Sequence, residues 1–186
     1  MSPGHVVFIN GAPSVGKSTT ARALQAMLTD PHYYLGLDEY RRGYLDSVWL
    51  ADDGALFRRM IEPFLRNLAT LARAGHDVIA ESMLTPATEA LYLDGFHDLQ
   101  VVFVGLECPL DVAKAREATR GDRRKGPVDL DHPLLQTLRD HDCYDLRVDT
   151  SELTPGEVAS QILPVLANPP QPSAFERLRR QAALRA

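Results

Sequence analysis

Cysteine is almost absent from this chain of 186 residues: only Cys108 and Cys143 occur, far apart and in no metal-like spacing. That scarcity excludes a disulfide framework. The six histidines contain no H-x-x-x-H pair, so a zinc site has no sequence support either. Basic residues are not in excess; 20 Lys+Arg against 25 Asp+Glu leave a net charge of -5, which argues against a nucleic-acid backbone as the main partner. No apolar stretch approaches membrane-spanning length, and the N-terminus lacks a basic segment followed by an apolar signal core. Internal repeats and low-complexity tracts are missing as well. What is left is ordinary: 45% hydrophobic and 24% charged residues, enough for one domain with a real core. A reduced, cytoplasmic enzyme is the expectation.

Against that plain background one segment stands out. Gly11-Ala12-Pro13-Ser14-Val15-Gly16-Lys17-Ser18 matches the G-x-x-x-x-G-K-[ST] phosphate-binding loop without interruption. Before it, His5-Val6-Val7-Phe8-Ile9-Asn10 suits a buried parallel strand. After it, Ala21, Leu24, Met27 and Leu28 fall at helical spacing. Strand, glycine-rich turn and helix together are the setting this motif requires. Gly11 and Gly16 let the backbone curl so that successive N–H groups face inward, and the following helix adds the positive end of its dipole. Lys17 then reaches the β- and γ-phosphates, and the Ser18 hydroxyl is placed to ligate Mg²⁺. Residues Gly11 to Ser18, with Thr19 beside them, are the expected nucleoside triphosphate site.

Strand-like runs recur at Val6–Ile9, Tyr33–Leu37, Asp77–Ala80, Leu99–Gly105 and Leu146–Val148, separated by helical patterns. Leu56, Met60, Ile61, Phe64, Leu65, Leu68 and Leu71 give a long amphipathic helix ending at Ala74-Gly75. Another helix follows Pro109, and Thr154-Pro155-Gly156 opens a further one. This alternation implies a three-layer α/β/α fold on a mostly parallel sheet, with ligands beyond the strands' carboxyl ends. A kinase-like domain is expected over residues 1–167. Asn168-Pro169-Pro170-Gln171-Pro172 is a linker composition. The basic segment to residue 186 reads as a solvated or frayed tail, or as a docking segment for a neighbouring subunit.

Three strand-end features carry the chemistry. Asp38 follows Gly36-Leu37, where a carboxylate can accept the proton of an attacking hydroxyl; capping the next helix is the other role open to it. Glu81, after Asp77-Val78-Ile79-Ala80, suits Mg²⁺ or the acceptor; a solvent-facing carboxylate is the alternative. The densest basic cluster is Arg116, Arg120, Arg123, Arg124 and Lys125, bracketed by Gly121 and Gly126. It reads as a solvated charge run or as a lid, around residues 116–133, that brings guanidinium groups to the transferring phosphate. In the lid reading Arg116 and Arg120 contact nucleotide, and Arg120 and Arg123 serve transfer. Tyr40, Arg41, Arg42, Tyr44, Trp49 and Phe57 either wall an acceptor pocket or pack an extra helix.

Taken together, the phosphate loop, Gly36-Leu37-Asp38, Arg116-Glu117-Ala118-Thr119-Arg120-Gly121-Asp122-Arg123 and Tyr144-Asp145-Leu146-Arg147-Val148-Asp149-Thr150-Ser151 resemble the chloramphenicol phosphotransferase family. The resemblance spans about residues 5 to 166. It implies an ATP-dependent small-molecule O-phosphotransferase on a P-loop fold of nucleotide-kinase type, with sheet order 2-3-1-4-5. It also implies Asp38 as catalytic base, and Lys17 and Ser18 at the phosphate and Mg²⁺ positions. Where two consecutive acids are expected after the third strand, this chain has Glu81-Ser82. The segment from Asp38 to Ala74 shows little similarity, so a hydroxyl-bearing small molecule, rather than chloramphenicol by name, is the expected acceptor. A nucleoside or nucleotide kinase, with Arg41 and Arg42 toward a monophosphate, is the neighbouring reading. An NTP-hydrolysing regulatory module is a third, although no Asn-Lys-x-Asp sequence for guanine is present.

Overall fold

Five apolar runs become five strands: β1 (Val6–Asn10), β2 (His32–Gly36), β3 (Asp77–Ser82), β4 (Val101–Glu107) and β5 (Leu146–Asp149). The computed structural model describes residues 2–43, 54–120, 129–139 and 141–185, with backbone alone for 54–58, 134 and 139. All strand pairs are parallel, in the order β2-β3-β1-β4-β5, as the family resemblance implies. The expected strand limits shift by one or two residues, the usual error where a run of apolar side chains has no sharp end.

The helices are α1 (Lys17–Met27), α2 (Leu37–Arg41), α3 (Gly54–Arg73), α4 (Glu89–Gly95), α5 (Leu110–Ala118), α6 (Pro133–Arg139), α7 (Pro155–Ala167) and α8 (Ala174–Arg185). Of these, α4 and α6 are too short for the periodicity to announce. The long helix α3 ends as expected: His76 N–H bonds back to Leu71 and Gly75 N–H to Ala72, the paired closure of a Schellman motif. Thr154 caps α7 in a capping box with Glu157.

Period-two alternation sorts the sheet into two faces. Val6, Phe8, Val78, Ala80, Val101 and Phe103 point to one side; Val7, Ile9, Ile79, Val102 and Val104 point to the other. The first face is aromatic. Phe8 stacks on Tyr92 and Phe103 at centroid distances of 4.9 and 5.2 Å, under α3, α4 and α8. The second face is aliphatic and is covered by α1 and α7.

The C-terminal segment departs from the expectation of a solvated tail. Residues 174–185 form α8, which closes the aromatic face of its own domain. Phe175 is 1% exposed and meets Phe103 edge-on at 5.2 Å; Leu178, one turn on, is 3% exposed. Buried Asp145 accepts hydrogen bonds from the Ala174 and Phe103 N–H groups at 2.6 and 2.9 Å. Arg179 donates to the Leu93 and Phe96 carbonyls at the end of α4. Two of the arginines that make this segment look like a solvated strip, Arg177 and Arg179, instead tie it down through backbone carbonyls.

Phe175→Ala is expected to cost about 3–5 kcal/mol in urea unfolding, whereas Leu184→Ala, at a residue 89% exposed, should stay within about 0.5 kcal/mol. Equal effects would show that α8 contributes no cover. A second expectation concerns His141, packed between Phe103 and Tyr144 with neither ring nitrogen hydrogen-bonded. Burial pushes its pKa below the ordinary histidine value, against the opposing pull of Glu89 and Asp142 and with that of Arg147. The unfolded chain therefore takes up the proton first, and stability should fall as pH drops below about 6.5. His141→Leu should flatten that slope between pH 7 and 5 in urea titrations, and an unchanged slope would count against His141 as its source.

Candidate active site

The loop between β1 and α1 lies where its motif requires. Gly16 takes φ +94°, a conformation an L side chain rarely adopts, and Ser14 also has positive φ, 63°. The Lys17 ammonium folds over the loop and donates to the Gly11 and Ala12 carbonyls, both at 2.9 Å. Thr19 Oγ1 and Thr20 N–H both donate to the Gly16 carbonyl. Thr150, just after β5, reaches the Val15 carbonyl through Oγ1 at 2.9 Å. The Ser14 hydroxyl donates to the carboxylate of Glu117, which is 3% exposed at the end of α5.

Glu81 is part of β3, not beyond it, and its register beside Ile9 and Gly36 sets it at the loop's edge. Ser18 Oγ donates to Glu81 Oε1 at 2.9 Å, so these two residues do come together. Tyr34 on β2 donates to the same oxygen at 3.3 Å. Its ring lies under the Arg22 guanidinium, 4.1 Å from the centroid, and Arg22 in turn pairs with Glu39 at 2.7 Å. Burial and the neighbouring Glu81 raise the Tyr34 pKa, so its hydroxyl stays a donor. Two hard oxygen donors converging beside the loop fit a Mg²⁺ ion that keeps most of its waters. The described residues contain no cluster of three or more His, Cys, Asp or Glu that would hold a metal by themselves.

One cavity of about 820 Å³ joins these parts. Along its floor run loop residues 13–20. Its lining also includes Thr150, Leu153, Pro155 and Val158, from the end of β5 into α7, and Leu37, Asp38 and Arg41 from α2. Asp38 is in the first turn of α2, 55% exposed as a side chain, and Arg41 donates to it at 3.0 Å. Asn10, fully buried at the end of β1, fixes the wall behind: its side-chain N–H₂ donates to Tyr144 Oη at 2.9 Å and its oxygen accepts from Leu84 N–H at 2.8 Å.

Arg116 and Arg120 both line the cavity, but Arg116 is held in its wall. Its guanidinium donates to Thr150 Oγ1 at 3.0 Å, to the Thr150 carbonyl at 2.6 Å and to the Ser151 carbonyl at 3.3 Å. The expected lid begins at Arg116, and here the Arg116 guanidinium is seated on Thr150 and Ser151. Arg123, Arg124, Lys125, Tyr44, Trp49 and the Phe57 side chain lie outside the described residues. Tyr40 packs on Phe64 at 5.5 Å, the core role that stood open for it. Sequence reasoning assigned no role to Tyr34, Arg22 or Asn10, which belong to no pattern of fixed spacing, nor to Glu117, which it quoted only within the arginine-rich stretch.

This geometry agrees with comparisons to known proteins. A family model for "Chloramphenicol phosphotransferase-like protein" matches residues 4–167. The chain belongs to that family. It is accordingly a small-molecule kinase, a phosphotransferase whose acceptor the family match leaves open. A cytidylate kinase of Sulfolobus acidocaldarius is 27% identical over 87% of this chain and 93% of its own length. A Mycobacterium tuberculosis protein provisionally named an O-phosphotransferase is 25% identical over 97% of this chain and 90% of its own. Among solved structures, the APS kinase CysC of Mycobacterium tuberculosis, in complex with AMPPNP and APS, superposes with a TM-score of 0.73 at 20% identity, covering 90% of this chain and all of that one. That likeness shows the P-loop kinase fold. No helix among the described residues is long and apolar enough to cross a membrane.

Gly36 is confined by this arrangement: a Cβ there would run into the Glu81 carboxylate and come within 2.8 Å of Tyr34 Oη. Gly36→Ala is expected to push Glu81 off Ser18 and to lower phosphotransferase turnover about tenfold or more, since misplacement by an ångström can cost about a hundredfold. Circular dichroism should remain native. Wild-type turnover in this variant would show that the Ser18–Glu81 contact is not needed.

Proposed function

We propose that the chain transfers the γ-phosphoryl group of ATP to a hydroxyl group of a small molecule. The observation that carries this reading is a cavity whose lining includes both the phosphate loop and Asp38, which is more than half exposed. The loop's N–H groups and Lys17 hold the triphosphate, and the end near Leu153, Pro155 and Val158 receives the base. Gly11 through Thr19 thus form the nucleotide site, with Arg116 in its wall. Ser18 and Glu81 would hold Mg²⁺, which when bound neutralises charge on the phosphate oxygens. Asp38 takes the proton as the acceptor oxygen bonds to the γ-phosphorus and the bond to the β–γ bridging oxygen breaks, releasing ADP. In this structure that carboxylate is engaged by Arg41; acceptor binding has to loosen the pair before Asp38 can act. Arg120, lining the same cavity, and Arg123 supply positive charge to the transferring group. ATP as donor and two free thiols fit the cytoplasm.

The cytidylate kinase relative favours a second reading, in which the acceptor is a nucleoside monophosphate. Arg41 in the cavity is the residue that would meet such a phosphate. The two readings separate by acceptor: Mg²⁺-dependent ADP release is measured across pools of hydroxylated antibiotics, other small alcohols, nucleosides and nucleoside monophosphates. Stimulation by a non-nucleotide alcohol supports the leading reading; stimulation by CMP alone supports the second. Steady hydrolysis indifferent to every pool would overturn both. With the responding acceptor, Asp38→Asn is expected to lower kcat by about 10² to 10⁴ while the Kd for ATP stays within about twofold. An unchanged kcat would remove Asp38 from the base role.

A further inference from the structure

The last turn of α5 grips the phosphate loop with two consecutive side chains. Glu117 accepts the Ser14 hydroxyl, and Arg116 holds Thr150, whose hydroxyl reaches the Val15 carbonyl. Ser14 and Val15 are the residues just before Gly16, at the point where the backbone turns its N–H groups inward. Ser14 sits there at φ 63°, a region that an L residue other than Gly, Asn or Asp enters only against steric cost. Both partners are shielded: Ser14 is 8% exposed and Glu117 is 3% exposed. A buried carboxylate beside an anion site opposes anion binding electrostatically. Against that opposition, its contact with the Ser14 hydroxyl supplies geometry.

We infer that Glu117 is a positioning residue for nucleotide binding: by anchoring the Ser14 hydroxyl it holds the phosphate loop in its left-handed turn. The inference rests on the reading of this loop as the triphosphate site. Glu117 touches neither phosphate nor acceptor in it, and it acts through Ser14.

Two physical accounts predict opposite signs. If Glu117 acts mainly by charge, removing it strengthens ATP binding. If it acts by geometry, removing it weakens ATP binding, and a neutral acceptor of the same shape preserves it. ATP binding is measured by calorimetry on the full chain, without acceptor. Glu117→Ala is expected to raise the Kd about tenfold or more, the scale of a hydrogen bond to a charged group. Glu117→Gln should stay within about threefold of wild type. Ser14→Gly placed in the Glu117→Ala background should recover most of the loss, because glycine adopts the turn without an anchor. Ser14→Ala in the otherwise native chain should weaken binding as Glu117→Ala does, and the Ser14→Ala/Glu117→Ala pair should be no worse than either alone. Glu117→Ala or Ser14→Ala binding ATP as tightly as wild type, or more tightly, overturns the inference. So does failure of Ser14→Gly to restore binding. Should the wild-type chain not bind ATP at all, the proposed function falls and this inference with it.

Discussion

A loop that binds phosphate through its backbone N–H groups has to keep those donors open, so its carbonyls and its turn must be held from outside. Most of what surrounds residues 11–18 meets that requirement. Lys17 takes the carbonyls of Gly11 and Ala12. Thr150 takes that of Val15, while Thr19 and Thr20 take that of Gly16. Each of these donors is a side chain or an N–H from beyond the turn, so none of the inward-facing groups is consumed. These contacts brace the loop from within the chain, which lowers the entropy that ligand binding would have to supply to order it.

That bracing is inherited from the sheet. β1 is paired on both sides and buried along its whole length, and its last residue, Asn10, spends its side chain on two neighbouring segments, Tyr144 and Leu84. The aromatic layer beneath is built from large rings that leave little freedom: Tyr92, Phe103 and Phe175 all contact Phe8. Such a layer must be covered on its outer side, and α3 and α4 do not cover it alone. Here α8 enters. Its helix brings Phe175 and Leu178 inward and turns Arg177 and Arg179 to carbonyls at the ends of neighbouring elements.

How much of this the sequence announces depends on the range over which each signal acts. The phosphate loop was legible because every functional group in it is local: glycines, lysine and hydroxyl lie within eight residues of one another. Strands and long helices were legible because burial imposes a period. Asp38 and Glu81 can be placed beside the loop from sequence because parallel sheets present ligands at one edge, although Glu81 lies within its strand and Asp38 within the next helix. Glu117 was not legible. On a helix rich in arginine, a glutamate reads as surface charge, and only the fold brings it to Ser14. The tail failed for a related reason. A proline-rich linker and four arginines have the composition of a solvated end, and composition carries no record of backbone carbonyls that those arginines will meet. Tyr34 and Arg22 were silent too, since a tyrosine next to a strand end looks the same whether it braces a carboxylate or faces solvent.

The contacts that finish the site are far apart in the chain: 63 residues separate Ser18 from Glu81, 103 separate Ser14 from Glu117, and 135 separate Val15 from Thr150. Loop-closure entropy grows only logarithmically, by about 0.6 kcal/mol for each doubling, so these separations differ little in cost. What distinguishes them is the element that delivers each partner. Glu81 arrives on β3, a six-residue strand paired on both sides. Thr150 arrives just past β5, a four-residue strand at the edge of the sheet, with pairing on one side only. Edge pairing is the weaker support, and local opening starts where fewest contacts must break. The phosphate loop is therefore held unevenly: firmly on the side of Ser18 and Glu81, and on the side of Val15 by a clamp that stands or falls with β5, Thr150 and the Arg116 seated on it.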